Sequence, residues 1–270
     1  MTIPNISILL PTRGRTTMLS DSINSLIEHA DSPEKLEWLL AFDRDDIDSF
    51  SYFNNNILPG IQETGAKYKC LAYDPLGYGR LHDYLNNLAK HATANWFVFW
   101  NDDAVMIDDH WDTEITSRGD KFCIQAFNTH NMHPYSIFPI VPRAWYDELG
   151  HLSVHPLNDA YISQIAWMLD IMERIDIKVE HRRFDLTGEN RDKTYADRVI
   201  FEGNVADPRD LNHESHRKAR FDNAKKLSKY MQSKGLDTSS FEQIVAGKLD
   251  PWAKMLASDV NKQMVKISMK

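Results

Sequence analysis

Four short apolar runs, each followed by a polar turn, dominate the first hundred residues of the chain. They cover residues 6–10, 36–42, 68–73 and 96–100. The runs over 36–42 and 96–100 are typical of strands that are buried on both faces, and the other two resemble strands in composition. Between them, residues 16–30 and 81–91 carry apolar side chains at helical spacing. Strands that alternate with helices predict an α/β fold with a doubly wound, mixed but mostly parallel sheet flanked by helices.

The second half of the chain has a less regular pattern. Residues 159–172 favour a helix, and from about residue 208 onward the sequence favours helices of high charge. Shorter strand-like runs cover residues 122–127, 136–141 and 177–181. We therefore expect an α/β domain over residues 1–205 and a helical C-terminal extension over residues 206–270.

Composition narrows the class of protein. The 270 residues are 42% hydrophobic and 26% charged, which is ordinary for a globular chain with a sizeable core. No stretch approaches the roughly 18 apolar residues of a membrane span, and the N-terminal residues lack a signal-peptide pattern. We expect a cytoplasmic protein without a membrane partner. A formal net charge of −8 disfavours a large nucleic-acid-binding surface.

Two adjacent carboxylates, Asp102 and Asp103, follow the most apolar of the four runs. Ligands of open α/β sheets bind beyond the carboxyl ends of the strands, so these acids lie where a site is expected. Paired carboxylates there suit Mg²⁺ or Mn²⁺ bridging to a substrate phosphate. The alternative is a solvated turn in which an Asp caps the next element.

The order of these motifs resembles the GT-A-type nucleotide-sugar glycosyltransferases, in particular their family 2 group. The resemblance covers roughly residues 5–200 and rests on ISILLPTRGR, on Asp43 after the second run, and on GYGRLHDYLNNLAKHATANWFVFWNDDAVM. It implies a GT-A-like fold, and it implies that Asp43 contacts the nucleoside base. The further residues that it implies for donor binding are Pro11, Thr12, Arg13, Arg15, Arg80, Asn101 and Asp102.

The resemblance also implies where a metal and a catalytic base would lie. Asn101, Asp102 and Asp103 occupy the place of the family's DxD motif, with an amide instead of the first acid. Asp103 would be a metal ligand, and His181 would add a nitrogen that suits Mn²⁺ better than Mg²⁺. Asp159 would be the base of an inverting reaction. Two alternatives stay open, namely an Asp159 near a helix start that acts as an N-cap and a His181 that is structural.

These residues predict a hexosyl- or pentosyltransferase that uses Mn²⁺ or Mg²⁺. It would move a sugar from a nucleoside-diphosphate donor to a hydroxyl of a glycan, a protein or a modified nucleobase. PTRGR is too short for the glycine-rich signature of a nucleotidylyltransferase. A non-catalytic nucleotide-sugar or carbohydrate-binding protein that kept the fold is the alternative, and Asn101 in place of the first acid leaves it open. The polar and aromatic residues 127–135 are expected beside the site.

Overall fold

The computed structural model describes residues 4–129, 135–182, 201 and 203–252. Its strands, in chain order, are β1 (Ile6–Thr12), β2 (Leu36–Asp43), β3 (Lys67–Tyr73), β4 (Trp96–Phe99), β5 (Ala104–Met106), β6 (Ile124–Thr129), β7 (Ile140–Pro142) and β8 (Met172–His181). Its α-helices are α1 (Thr16–Glu28), α2 (Ile47–Tyr52), α3 (Leu58–Thr64), α4 (Leu81–Ala89), α5 (Trp111–Thr116), α6 (Arg143–Leu149), α7 (Asn158–Leu169), α8 (Glu214–Ser233) and α9 (Ser239–Val245).

The eight strands form one sheet in the order β3-β2-β1-β4-β7-β6-β8-β5. Strands β3, β2, β1 and β4 are parallel, which confirms the predicted first half. Strand β7 joins β4 in antiparallel register, β6 and β8 are parallel to each other, and β5 pairs antiparallel with β8. Four of the seven pairings between described strands are therefore parallel.

Strand alternation divides the apolar side chains between two cores, one on each face of the sheet. Leu9 and Leu39 point to the face covered by α4, α6 and α7, whereas Ile8 and Leu40 point to the face covered by α1, α3 and α5. The described part of the C-terminal extension packs on the first face, where Leu227 of α8 is fully buried. No helix in the described residues is long and apolar enough to cross a membrane.

Several element bounds differ from the predicted ones. The helix expected over residues 159–172 ends at Leu169, because Asp170 adopts a left-handed conformation with φ of 54° and the chain then enters β8. Strand β8 begins at Met172, five residues before the expected strand. The strand expected over residues 136–141 begins only at Ile140 and ends at Pro142.

Candidate active site

One large cavity lies beyond the carboxyl ends of the parallel strands β1, β2 and β4. Its volume is about 720 Å³, enough for a nucleotide-sugar-sized ligand. Ten of the eleven residues that the sequence singled out line it, namely Pro11, Thr12, Arg13, Arg15, Asp43, Asn101, Asp102, Asp103, Asp159 and His181. The remaining one, Arg80, is not among the lining residues. It is an exposed side chain that pairs with Asp83 at 2.6 Å.

Asp102 links the turn after β4 to the last residue of β1 and to the loop that follows β1. Its carboxylate accepts hydrogen bonds from Thr12 Oγ1 at 2.8 Å and from Arg15 Nη1 at 2.9 Å. Burial raises the pKa of Asp102 to about 6, although Arg15 and Thr12 both favour its charged form and oppose the shift. The turn after β4 is therefore tied to the loop after β1 by a buried charge-assisted contact.

Asp103 and His181 meet because β5 pairs with the end of β8, which places Ala104 opposite His181. His181 Nε2 lies 3.3 Å from Asp103 Oδ1, and Arg15 Nη1 lies 3.6 Å from Asp103 Oδ2. Both members of the pair are buried. Burial works to raise the pKa of Asp103, but the neighbouring His181 and Arg15 outweigh it, so that pKa is lowered. Asp103 is accordingly held as a carboxylate.

Asp103 and His181 are suited to supply two of the ligands of a divalent cation. The described residues contain no group of three or more His, Cys, Asp or Glu that would enclose a metal by themselves. Cations at phosphate-binding sites commonly take only one or two protein ligands, and substrate phosphates and water supply the rest. A carboxylate oxygen beside an imidazole nitrogen is a donor set that Mn²⁺ accepts. His181 Nδ1 has no hydrogen-bond partner among the described residues.

Asp43, at the end of β2, is the centre of a second network. Arg13 Nη1 donates to its Oδ2 at 2.7 Å, and the hydroxyl of Tyr84 donates to its Oδ1. Tyr84 Oη also accepts from the backbone N–H of Leu76 at 2.8 Å. Burial and the bond to Asp43 raise the pKa of Tyr84 to about 12, so it remains a neutral donor. Asp43 is therefore oriented on both sides.

Asp159 lies in the first turn of α7 and is partly exposed to the cavity. Leu157 occupies the N-cap position, and no side-chain hydrogen bond caps the helix. The capping role that the sequence also allowed for Asp159 is thus not observed. Among the described residues none hydrogen-bonds to its carboxylate, so both oxygens can interact with a ligand. The Asn101 side chain is likewise exposed on the cavity wall.

Sequence reasoning missed several lining residues. Tyr84 is one of them, because an aromatic residue on the apolar face of a predicted helix indicates core packing. The sequence also gave no function to residues 203–212, yet five of them line the cavity: Gly203, Val205, Asp210, Leu211 and Asn212. Of the loop expected beside the site, Tyr135 lines the cavity. Residues 130–134 lie outside the described residues.

Comparison with solved structures identifies the fold. The mannosyltransferase PcManGT of Pyrobaculum calidifontis, in complex with GDP-Man and Mn²⁺, matches with a TM-score of 0.56 and 13% identity over 95% of this chain and 86% of that one. TarS 1–349 of S. aureus, in complex with UDP-GlcNAc, matches with a TM-score of 0.50 and 11% identity over 84% of this chain and 73% of that one. The chain has a GT-A-like fold.

The GT-A-like fold confirms the architecture that the sequence predicted. Comparison with protein-family models and with curated sequences gives no match. At identities this low, structural likeness shows the fold alone, because one fold hosts many functions. A function must therefore be inferred from the side chains that line the cavity.

Proposed function

We propose that this protein is a metal-dependent glycosyltransferase that transfers a sugar from a nucleoside-diphosphate donor to a hydroxyl acceptor. The observation that carries the proposal is that one cavity brings together two arginines, the Asp103–His181 pair and the carboxylate of Asp159, to which no described residue hydrogen-bonds. The two structural relatives are described with a nucleotide-sugar, GDP-Man or UDP-GlcNAc, and one of them with Mn²⁺. Cytoplasmic location remains part of the same proposal.

The donor would bind along the edge formed by β1, β2 and β4. Arg13 and Arg15 line the cavity with cationic side chains. A guanidinium can form bidentate hydrogen bonds with the oxygens of a phosphate group. Asp43, oriented by Arg13 and by Tyr84, would accept a hydrogen bond from the nucleoside base. Asn101 is exposed beside them and can hydrogen-bond a ribose hydroxyl as both donor and acceptor.

Departure of the nucleoside diphosphate requires that its developing charge be stabilised. Arg15 is suited to this because its side chain is only 15% exposed, and electrostatic interactions are stronger in such a buried position than in water. Asp103 and His181 would hold a divalent cation. When bound, such an ion supplies further neutralisation of the diphosphate.

Asp159 would act on the acceptor. As the acceptor oxygen attacks the anomeric carbon, its proton passes to the Asp159 carboxylate. The bond between that carbon and the diphosphate oxygen breaks, and the electron pair leaves with the nucleoside diphosphate. This sequence inverts the anomeric configuration. In a retaining reaction Asp159 would instead orient the acceptor.

Titration calorimetry with UDP, GDP and ADP, each with and without Mn²⁺, tests the donor half of the proposal. One nucleotide should bind, and Mn²⁺ should strengthen its binding. Arg15→Met should weaken that binding about tenfold or more, because it removes a charge-assisted phosphate contact. Arg44→Met is the matched control, since Arg44 is exposed, pairs with Asp74 and does not line the cavity.

Two results would overturn this part of the proposal. One is the absence of binding by all nucleotides in a folded protein. The other is equal loss of affinity in Arg15→Met and Arg44→Met, which would place the nucleotide elsewhere. Melting temperatures of both variants show whether either substitution acts through the fold.

A further inference from the structure

One wall of the cavity is built by the chain just before α8. Five of residues 203–212 line the cavity, which Asp159 also lines. Asp210 fixes the course of this stretch from within, because its buried carboxylate accepts from the backbone N–H groups of Asn204 and Asn212, both at 2.7 Å. The stretch spans the boundary predicted between the α/β domain and the C-terminal extension. The position of this wall therefore depends on contacts that reach it from the extension.

Arg220 of α8 makes one such contact. Its side chain is fully buried, and its Nη1 donates to the backbone carbonyl of Leu211 at 2.6 Å. No described carboxylate forms a salt bridge with Arg220, and its Nε and Nη2 have no hydrogen-bond partner among the described residues. Burial lowers the pKa of Arg220 to about 10, so the side chain remains a cation at neutral pH. A buried cation without a carboxylate partner requires another source of stabilisation.

Two aromatic rings provide that stabilisation. The Cζ atom of Arg220 lies 5.9 Å from the ring centroid of Tyr161, on α7, and 5.4 Å from that of Trp252. At such distances the electron-rich face of an aromatic ring attracts a cation. The Cζ atom of Arg217, three residues earlier on α8, lies 5.2 Å from the centroid of the same indole. Trp252 thus contacts two guanidinium groups whose charges repel each other.

These contacts connect Trp252 to the cavity through Arg220. Arg220 binds the carbonyl of Leu211, whose own N–H donates to the carbonyl of Phe201 at 3.2 Å. The ring of Phe201 packs on Tyr78, which also lines the cavity. Without the indole, the Arg220 guanidinium would become accessible to water, and hydration would compete with its bond to Leu211. The wall would then lose a contact that fixes its position.

We infer that Trp252 is a positioning residue for the candidate active site, since it acts through Arg220 to fix the cavity wall formed by residues 203–212. This gives the C-terminal extension a part in the reaction, for which the sequence offered no function. That part of the inference rests on the proposed function. The contact between Trp252 and the wall is a property of the protein alone, and it can be tested without a ligand.

Hydrogen–deuterium exchange of the full chain, measured by mass spectrometry, tests the contact directly. The backbone N–H groups of Asn204, Leu211 and Asn212 are hydrogen-bonded, so their exchange reports local opening of the wall. Trp252→Leu keeps an apolar side chain without a π face, and peptides covering residues 203–212 should exchange about tenfold faster. Trp252→Phe keeps an aromatic face, and its exchange should stay within about threefold of that of the unmodified protein.

Tyr52→Leu is the matched control. It removes a half-buried aromatic ring of α2, which packs on the core of the opposite face of the sheet. It should leave the exchange of residues 203–212 unchanged. The inference is wrong if Trp252→Leu also leaves this exchange unchanged, or if Trp252→Phe accelerates it as much as Trp252→Leu does. It is equally wrong if Trp252→Leu accelerates exchange by the same factor throughout the chain, because Trp252 would then support the fold as a whole.

Turnover of a nucleotide-sugar tests the part of the wall in the reaction. Trp252→Leu should lower the turnover rate about tenfold, because the reacting groups would be less well positioned. Its affinity for the nucleoside diphosphate should not change, since Asp43 is oriented by Arg13 and Tyr84. Unchanged turnover together with faster exchange would overturn the role in the reaction. If the unmodified protein shows no turnover, the proposed function fails, whereas the exchange measurement still decides whether Trp252 fixes the wall.

Discussion

Acidification should destabilise the wall of the cavity through one buried imidazole, that of His155. This side chain is 1% exposed, and both of its nitrogens are engaged in the neutral form. Nε2 donates to the Arg209 carbonyl, and Nδ1 accepts from the backbone N–H of Leu157 at 3.1 Å. A second proton, on Nδ1, would face that N–H and break the bond.

The size of the effect follows from the pKa of His155. Burial lowers this pKa from 6.5 to about 4, while the bond to the Arg209 carbonyl opposes the shift. The unfolded chain therefore binds the proton more readily than the folded one. The contribution to stability is fully present above pH 6.5 and is lost as the pH falls toward 4. By linkage the loss is about 2 kcal/mol between about pH 7.5 and about pH 5, and about 3 kcal/mol near pH 4.

Urea denaturation of the unmodified protein and of His155→Gln, each across this pH range, measures the effect. In the difference between the two free energies of unfolding at each pH, the contributions of most other titratable groups cancel. The stability advantage of the unmodified protein should shrink by about 2 kcal/mol on going to about pH 5. His91→Gln is the control, since His91 is an exposed imidazole and its difference should change far less. A difference for His155→Gln that stays constant with pH would show that protonation of His155 does not govern the loss of stability.

Three substitutions test other parts of the account. Asp103→Ala should remove the Mn²⁺-dependent part of nucleotide affinity, and calorimetry that shows the same Mn²⁺ effect as before would exclude Asp103 as a ligand. Tyr84→Phe should weaken nucleotide binding several-fold, because Asp43 loses one of its two orienting partners; unchanged affinity would show that Asp43 needs no such support. Glu37→Gln should lower the free energy of unfolding in urea by about 1–3 kcal/mol, because the buried Glu37 carboxylate accepts from Ser7 and from Thr93. A loss below 0.5 kcal/mol would contradict the last of these.

Three strands in the first half of the sheet were predictable because they bury both faces, whereas β3 lies at the edge of the sheet and is exposed or half-buried along its length. Each of β1, β2 and β4 is a run of large apolar side chains closed by polar residues, a pattern that few other elements produce. The helical stretch of α2 and α3 was not predicted. It is interrupted by a wider turn over Phe53–Ile57 and contains Pro59, so its apolar spacing does not follow a single helical period.

The site was predictable only in part, for a related reason. The acids that follow strands could be placed at the sheet edge from sequence, since the carboxyl ends of parallel strands meet there. The contact between Asp103 and His181 depends on the antiparallel pairing of β5 with β8, which joins segments far apart in the chain and leaves no local signal. The course of residues 203–212 depends in the same way on Arg220 and His155, which donate to backbone carbonyls of this stretch.

The most direct test of the account is release of nucleoside diphosphate from a nucleotide-sugar, measured with Mn²⁺ and a glycoside acceptor for the unmodified protein and for Asp159→Asn. The unmodified protein should turn over the donor. Asp159→Asn should bind the nucleotide equally well but release it about a hundredfold or more slowly, since general base catalysis typically contributes that much. Nucleotide binding without turnover would favour a binding protein that kept the GT-A-like fold. Equal turnover by both proteins would show that Asp159 is not the base.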